Sequence, residues 1–303
     1  MEHIVNTLIP IFSLILIGYF FKHLKFPSID FWPMADKFTY YVLMPSLITY
    51  KLALANIDLS ITVGLVSTAL MSIFVIFISL LLFNFLVKFE NKAFTSIVQG
   101  GIRFNSYVLL AFVDSVYGDK GLVFAAIVMA FVIPFINVLC ISTFALFVRH
   151  GKFSLLTFLK TIVKNPLILA CVVGGCINAS GLEVPLVVLK SLSILSNAAL
   201  PIGLLSVGVG LEFKYLRSAK KELFVSALAK LVYFPIVIYT IGNLFGLSHQ
   251  MLAISVIFGA MPTAVSGYIL ARELGGDTTL MASIITLQTL LSMVTLFLVI
   301  PIL

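Results

Sequence analysis

Charge is scarce in this sequence. Asp, Glu, Lys and Arg make up 10% of its 303 residues, where soluble domains carry about 25%. Cysteine is scarce as well. Cys140, Cys171 and Cys176 stand singly in apolar stretches with no CxxC, which argues against a disulfide framework. The four histidines (His3, His23, His150 and His249) are dispersed near the ends of apolar runs. That suits interfacial positions and gives no metal-ligand spacing. Polar low-complexity tracts are missing, which excludes disorder. No Ser/His/Asp set or carboxylate pair falls within an apolar run, so an enzyme is not expected.

What is present is apolar surface. Hydrophobic residues make up 61% of the chain, and mean hydropathy is +1.18. No soluble core of this size could hide that much, so a water-soluble enzyme or nucleic-acid binder is excluded. The chain reads as an all-α polytopic membrane protein. A span takes about 20 residues, and ten runs follow along the chain: 4–21, 33–51, 61–88, 93–115, 120–148, 157–179, 184–211, 221–245, 249–271 and 277–302. The first lacks a basic leader and a small-residue cleavage site, so it is expected to stay as a helix. Ten spans leave no room for a separate soluble domain.

The net charge of +7 is that of basic loops, not of an anion-binding surface. Lys22, Lys25, Lys88, Lys92, Arg149, Lys152, Lys214, Arg217, Lys220, Lys221 and Arg272 fall in the odd-numbered connections, against Lys51 and Lys120 in the even ones. The positive-inside rule then puts the odd loops in the cytoplasm and both termini outside. The expected location is the plasma or inner membrane.

Pro10 and Gly18 recur as Pro166 and Gly174, and Pro45 as Pro201, all at an offset of 156 residues. At that offset Arg103-Phe-Asn-Ser106 falls on Gly259-Ala-Met-Pro262. Two five-helix repeats, 1–150 and 151–303, are expected. An odd span count inverts them in the membrane, an arrangement common in secondary transporters.

The fourth and ninth spans are the least lipid-like. Gln99-Gly-Gly-Ile-Arg-Phe-Asn-Ser-Tyr107 and Gly259-Ala-Met-Pro-Thr-Ala-Val-Ser-Gly-Tyr268 predict interrupted helices near 101–107 and 260–266. Freed backbone at membrane depth is tolerated only inside protein or beside a water-filled cavity. The half-helix N-termini at such breaks offer N–H groups to an anion. The alternative is a pair of kinked helices packed through small residues. Arg103 lies about ten residues into its span, near mid-membrane. No Asp or Glu is equally deep; Asp36 and the other carboxylates sit at or near span ends. Arg103 therefore predicts a carboxylate clamp, the alternatives being snorkelling or bonds to freed carbonyls. Asn105 is the next candidate, followed by Ser106, Tyr107, Pro262, Thr263 and Ser266. Gln288 and Asn137 are expected to make interhelical hydrogen bonds. Lys164, Lys190 and Lys230 are expected to snorkel.

Residues 99–107, Asn165-Pro166-Leu-Ile, Ala199-Leu-Pro-Ile-Gly203 and Met261-Pro-Thr-Ala-Val-Ser-Gly-Tyr-Ile-Leu-Ala-Arg272 resemble the bacterial branch of the auxin efflux carrier family, along nearly the whole chain. The resemblance implies two inverted repeats with crossing broken helices, forming one membrane domain of scaffold and transport parts. It also implies carriage of small organic anions of the malate or malonate type. The family's crossing-helix Asn and Pro correspond to Asn105 and Pro262, while Ser106 stands where the plant members carry a proline. The expected function is elevator-type transport of a small carboxylate, with no cofactor and with H+ or Na+ as the coupling ion. A sodium-coupled symporter of the bile-acid type, an amino-acid substrate and a non-transporting sensor are the alternatives. The expected partners are the substrate and the lipid bilayer; nucleic acid is excluded and a homodimer is left open.

Overall fold

The computed structural model describes residues 2–28, 30–55, 59–148, 163–181, 183–216 and 220–299. The basic segment 149–152, Arg217, Asp58, His150, the start of the run at 157 and the expected boundary between repeats lie outside them. Among the described residues every regular element is helical. That is what a lipid solvent demands, because a helix satisfies its backbone polar groups within itself. In order they are α1 (Glu2–Leu24), α2 (Phe31–Phe38), α3 (Met44–Ala53), α4 (Leu59–Val87), α5 (Asn91–Ile102), α6 (Ser106–Phe147), α7 (Pro166–Ser180), α8 (Leu186–Val209), α9 (Lys220–Leu228), α10 (Phe234–Leu244), α11 (His249–Ala260), α12 (Ser266–Leu274) and α13 (Thr278–Val299). Single π-helical stretches, Thr39–Leu43 and Ala229–Tyr233, join α2 to α3 and α9 to α10. Among the described residues five segments are long and apolar enough to cross a membrane: Thr62–Val87, Asn91–Phe147, Leu186–Val209, Lys220–Leu244 and Thr278–Val299. The protein is a multi-pass membrane protein.

Gly118 interrupts α6 with φ of 57°. A side chain is strained in that conformation and glycine is not, so the backbone turns there, between the runs expected at 93–115 and 120–148.

The pairing of α1 with α8 mirrors that of α7 with α3. A Cβ on Gly18 would stand 2.1 Å from the carbonyl oxygen of Leu205, and one on Gly174 would stand 3.0 Å from that of Thr49. Gly18 and Gly174 are 156 positions apart, as are Thr49 and Leu205. Glycine allows this approach because lipid exerts no hydrophobic pressure between helices, and close van der Waals packing must supply the association.

Connections of like parity meet. Lys22 Nζ pairs with Glu212 at 2.7 Å, joining the first connection to the seventh. Ser96 Oγ, halfway along α5, donates to the carbonyl of Asp277 in the ninth connection at 3.0 Å. On the other side Lys51 pairs with Asp119, and Asn178 Nδ2 donates to the Ala53 and Ala55 carbonyls.

Two interruptions fall where the sequence places them. Between α5 and α6 the residues 103–105 are non-helical, with Arg103 extended at φ −74°, ψ 158°. The glycine pair 100–101 weakens the last turn of α5, and Asn105 starts the next helix by accepting from the Tyr107 and Val108 N–H groups at 3.1 and 3.2 Å. Between α11 and α12 the residues 261–265 break the helix. Pro262 drives Met261 out of helical space to φ −66°, ψ 143°.

Candidate functional site

The two breaks are bound to each other. The Asn105 N–H donates to the Pro262 carbonyl at 2.8 Å, and Thr263 Oγ1 donates to the Gln99 carbonyl at 3.2 Å. Gln288 of α13 ties the junction together. Its Oε1 accepts from the Thr263 N–H at 3.0 Å, while its Nε2 donates to the Gly100 carbonyl and to Ser226 at 3.1 Å. Gln288 is thus an interhelical hydrogen-bonding group, as expected, and it holds both interruptions. Phe104 packs edge-on to Phe258 with centroids 4.7 Å apart.

Beside the junction lies a cavity of about 280 Å³, bordered by a smaller lobe of about 150 Å³. Tyr40, Ser106, Leu167, Ala264 and Ser266 line both. The larger lobe presents Asp36, Asn105, Tyr107 and Ser206, and the smaller presents Arg103 and Asn137.

The structure brings Arg103, Asn105, Ser106, Tyr107 and Ser266 to this cavity. Arg103 is in the smaller lobe, where its Nη2 donates to Ser266 Oγ at 3.2 Å and its buried Nη1 has no partner. An N–H group of the guanidinium therefore remains to be satisfied. The Asn105 oxygen is occupied as a helix cap, which leaves its amide N–H groups as what it can offer to a ligand. Pro262 and Thr263 do not line either lobe. Both are buried behind it, and their hydrogen bonds hold the junction. Asn137 lines the smaller lobe, and among the described residues it has no interhelical hydrogen bond of the kind expected for it.

Two features were missed by sequence reasoning. By its place in the sequence Asp36 belongs with the carboxylates at span ends, yet it lines the cavity and accepts from the Tyr107 hydroxyl at 3.1 Å. The run 33–51 places it near a terminus, and only the packing of α2 against α8 turns it inward. Ser206 contributes a buried hydroxyl with no partner, at a position indistinguishable from the small residues around it. One expectation is corrected. Lys164 and Lys190 are exposed as snorkelling requires, but Lys230 is 0% exposed. Its Nζ has no hydrogen-bond partner and lies 4.1 Å from the Phe234 ring centroid and 5.5 Å from that of Phe258. The π-helical stretch rotates it away from lipid, and the two ring faces are its electrostatic partners.

A third cavity of about 310 Å³ lies between α1, α3, α6 and α8, with Lys51, Asp114 and Asn197 on its walls. It belongs to the side of the even connections, as Lys51 and Asp119 do.

Residues 148–300 match the family described as membrane transport protein. A protein of Rhizobium meliloti (strain 1021), provisionally named a malonate transporter, is 21% identical over 97% of this chain and 94% of its own length. A Methanothermobacter thermautotrophicus (strain Delta H) protein, named an uncharacterized transporter, is 28% identical over 46% of this chain and 45% of its own.

Proposed function

Because the chain belongs to the membrane transport protein family, that of the auxin efflux carriers, and is a transporter, we propose that it carries a small carboxylate of the malate or malonate class across the plasma or inner membrane by alternating access. The observation that carries this reading is the cavity at the two helix breaks. Arg103 with an unsatisfied N–H, Asn105 with only donors to offer, and the hydroxyls of Ser106 and Ser266 converge on it. Such a donor-rich set matches the two oxygens of a carboxylate. The R. meliloti relative is named for a substrate of the same class.

In this reading Arg103, Asn105, Ser106, Tyr107 and Ser266 contact the substrate, and Pro262 and Thr263 keep the break open behind it. The mirrored Gly18–Leu205 and Gly174–Thr49 approaches support ten helices in two inverted repeats, 1–150 and 151–303. The meeting of like-parity connections supports a two-sided chain with its basic loops inside and its termini outside. The cavities carrying Asp36 and Lys51 flank the α6 and α8 contact from opposite sides, which supports an elevator-like movement of the broken-helix part against a scaffold containing α1, α3 and α8.

The test is uptake of labelled malate and malonate into proteoliposomes, by the intact protein and by Arg103→Ala, with and without imposed proton and sodium gradients. Saturable uptake lost in the variant supports the clamp, and the gradient that drives it names the coupling ion. Uptake that survives in Arg103→Ala assigns the guanidinium to structure alone.

A further inference from the structure

The large lobe of the cavity is chemically two-ended. On the broken-helix side it presents Asn105 and Ser106, with Arg103 in the adjoining lobe. Facing them from α2 is the carboxylate of Asp36, held by the Tyr107 hydroxyl at 3.1 Å. Among the described residues no cation pairs with Asp36. Resting on the carboxylate reading above, we infer that Asp36 selects what the substrate carries at its other end. That end must donate a proton in a hydrogen bond, as an ammonium or a protonated carboxyl does, and a fully ionised dicarboxylate is rejected.

The physical reason is direct. Asp36 has one oxygen engaged by Tyr107, and a carboxylate accepts only. A second carboxylate brought against it in a confined, partly apolar site cannot also stay ionised, because two like charges at that distance raise one another's proton affinity. A neutral or cationic donor makes a charge-assisted bond at the same place. The neighbours of Asp36 do not offset this preference. Around it, α6 presents Tyr107, the π-helical stretch presents Tyr40, and α8 presents Ser206 and no titratable group. Lys37, next along α2, and Lys190 of α8 are both exposed. The nearest cation lining the cavity is Arg103, whose Nη2 is bound to Ser266.

Two substrate types share this chemistry: an amino acid with its ammonium toward Asp36, and a dicarboxylate that enters with one proton. Calorimetric binding of malonate and of β-alanine to the purified full chain separates them, each measured at acid pH, where hydrogen malonate prevails, and at alkaline pH, where the dianion does. The wild type is expected to bind malonate at least tenfold more tightly at acid pH, or to bind β-alanine with little pH dependence. The first result identifies a dicarboxylate that binds with one proton shared between it and Asp36, and the second the amino acid. Asp36→Asn is expected to abolish the acid preference and to weaken β-alanine at least tenfold, while Asp36→Glu keeps both. A melting curve confirms that the variants are folded. Equal affinity for malonate at both pH values in the wild type overturns the inference, as does an acid preference that persists in Asp36→Asn. Failure of the wild type to bind either acid at any pH instead removes the carboxylate reading, and the inference falls with it.

Discussion

Gly203 of α8 lies flat against the ring of Tyr107: a Cβ there would stand 2.7 Å from Cδ1 and 2.8 Å from Cγ. The bare backbone lets the ring pass close to α8, so that its hydroxyl reaches Asp36. Gly203→Ala should push the ring away and break that bond. Overpacking of this kind costs about 1–3 kcal/mol. The expected outcome is a lower melting temperature together with reduced substrate uptake, and Tyr107→Phe should reproduce the uptake defect with a smaller loss of stability. Unchanged uptake in both variants would remove Tyr107 from the site.

Asn105 does two jobs that a single substitution can separate. Its oxygen caps α6, and aspartate caps a helix as well as asparagine does. Its amide N–H groups have no counterpart in aspartate. Asn105→Asp should therefore keep the cap while uptake falls at least about tenfold, since one lost bond to a charged group is worth about 1.5–3 kcal/mol. Asn105→Ala should lose uptake and also about 1 kcal/mol of stability. Comparing melting curves with uptake for the pair decides whether the residue is more than a cap.

Gln288 reaches Thr263, Gly100 and Ser226 from the middle of α13. Replacing it by leucine leaves a backbone N–H and two carbonyls without that partner in a water-free interior. Each orphaned group costs about 1–3 kcal/mol. Gln288→Leu is expected to be among the most destabilising single changes in the chain, seen as a loss of thermal stability in detergent. A melting temperature within about a degree of the wild type would mean that the two breaks hold together without it.

Lys230 should behave in the opposite way. Burying a charge at membrane depth costs at least about 2.5–3.5 kcal/mol, and a desolvated ammonium over aromatic rings recovers about 2 kcal/mol. The balance favours an apolar side chain of similar length. Lys230→Met is expected to be neutral or stabilising by thermal denaturation, and a large loss of stability would show that the ammonium has a partner other than the rings.

Much of this molecule was legible as a string. Among the described residues the apolar runs give helices because lipid leaves the backbone no other way to pair. Pro262 sets one interruption through local sterics, and Asn105 marks the other through its cap. Gln288 could be assigned to helix contacts because an amide in an apolar run must find a partner. Other positions could not be read in this way. Asp36 counts as a terminal carboxylate in any one-dimensional reading, and Ser206 is one small residue among many.

The sequence by itself determined the solvent, the helical class and the positions of the two breaks, since these follow from composition and from the dihedral preferences of neighbouring residues. Only the tertiary structure decided which groups face one another. It turned Asp36 toward Tyr107, assigned Thr263 to the junction and not the cavity wall, and buried Lys230 under two phenylalanine rings. Those outcomes depend on the rotation of each helix about its axis and on how closely glycine lets two backbones approach. Contacts between residues tens to hundreds of positions apart fix both quantities, and no local window of sequence contains them.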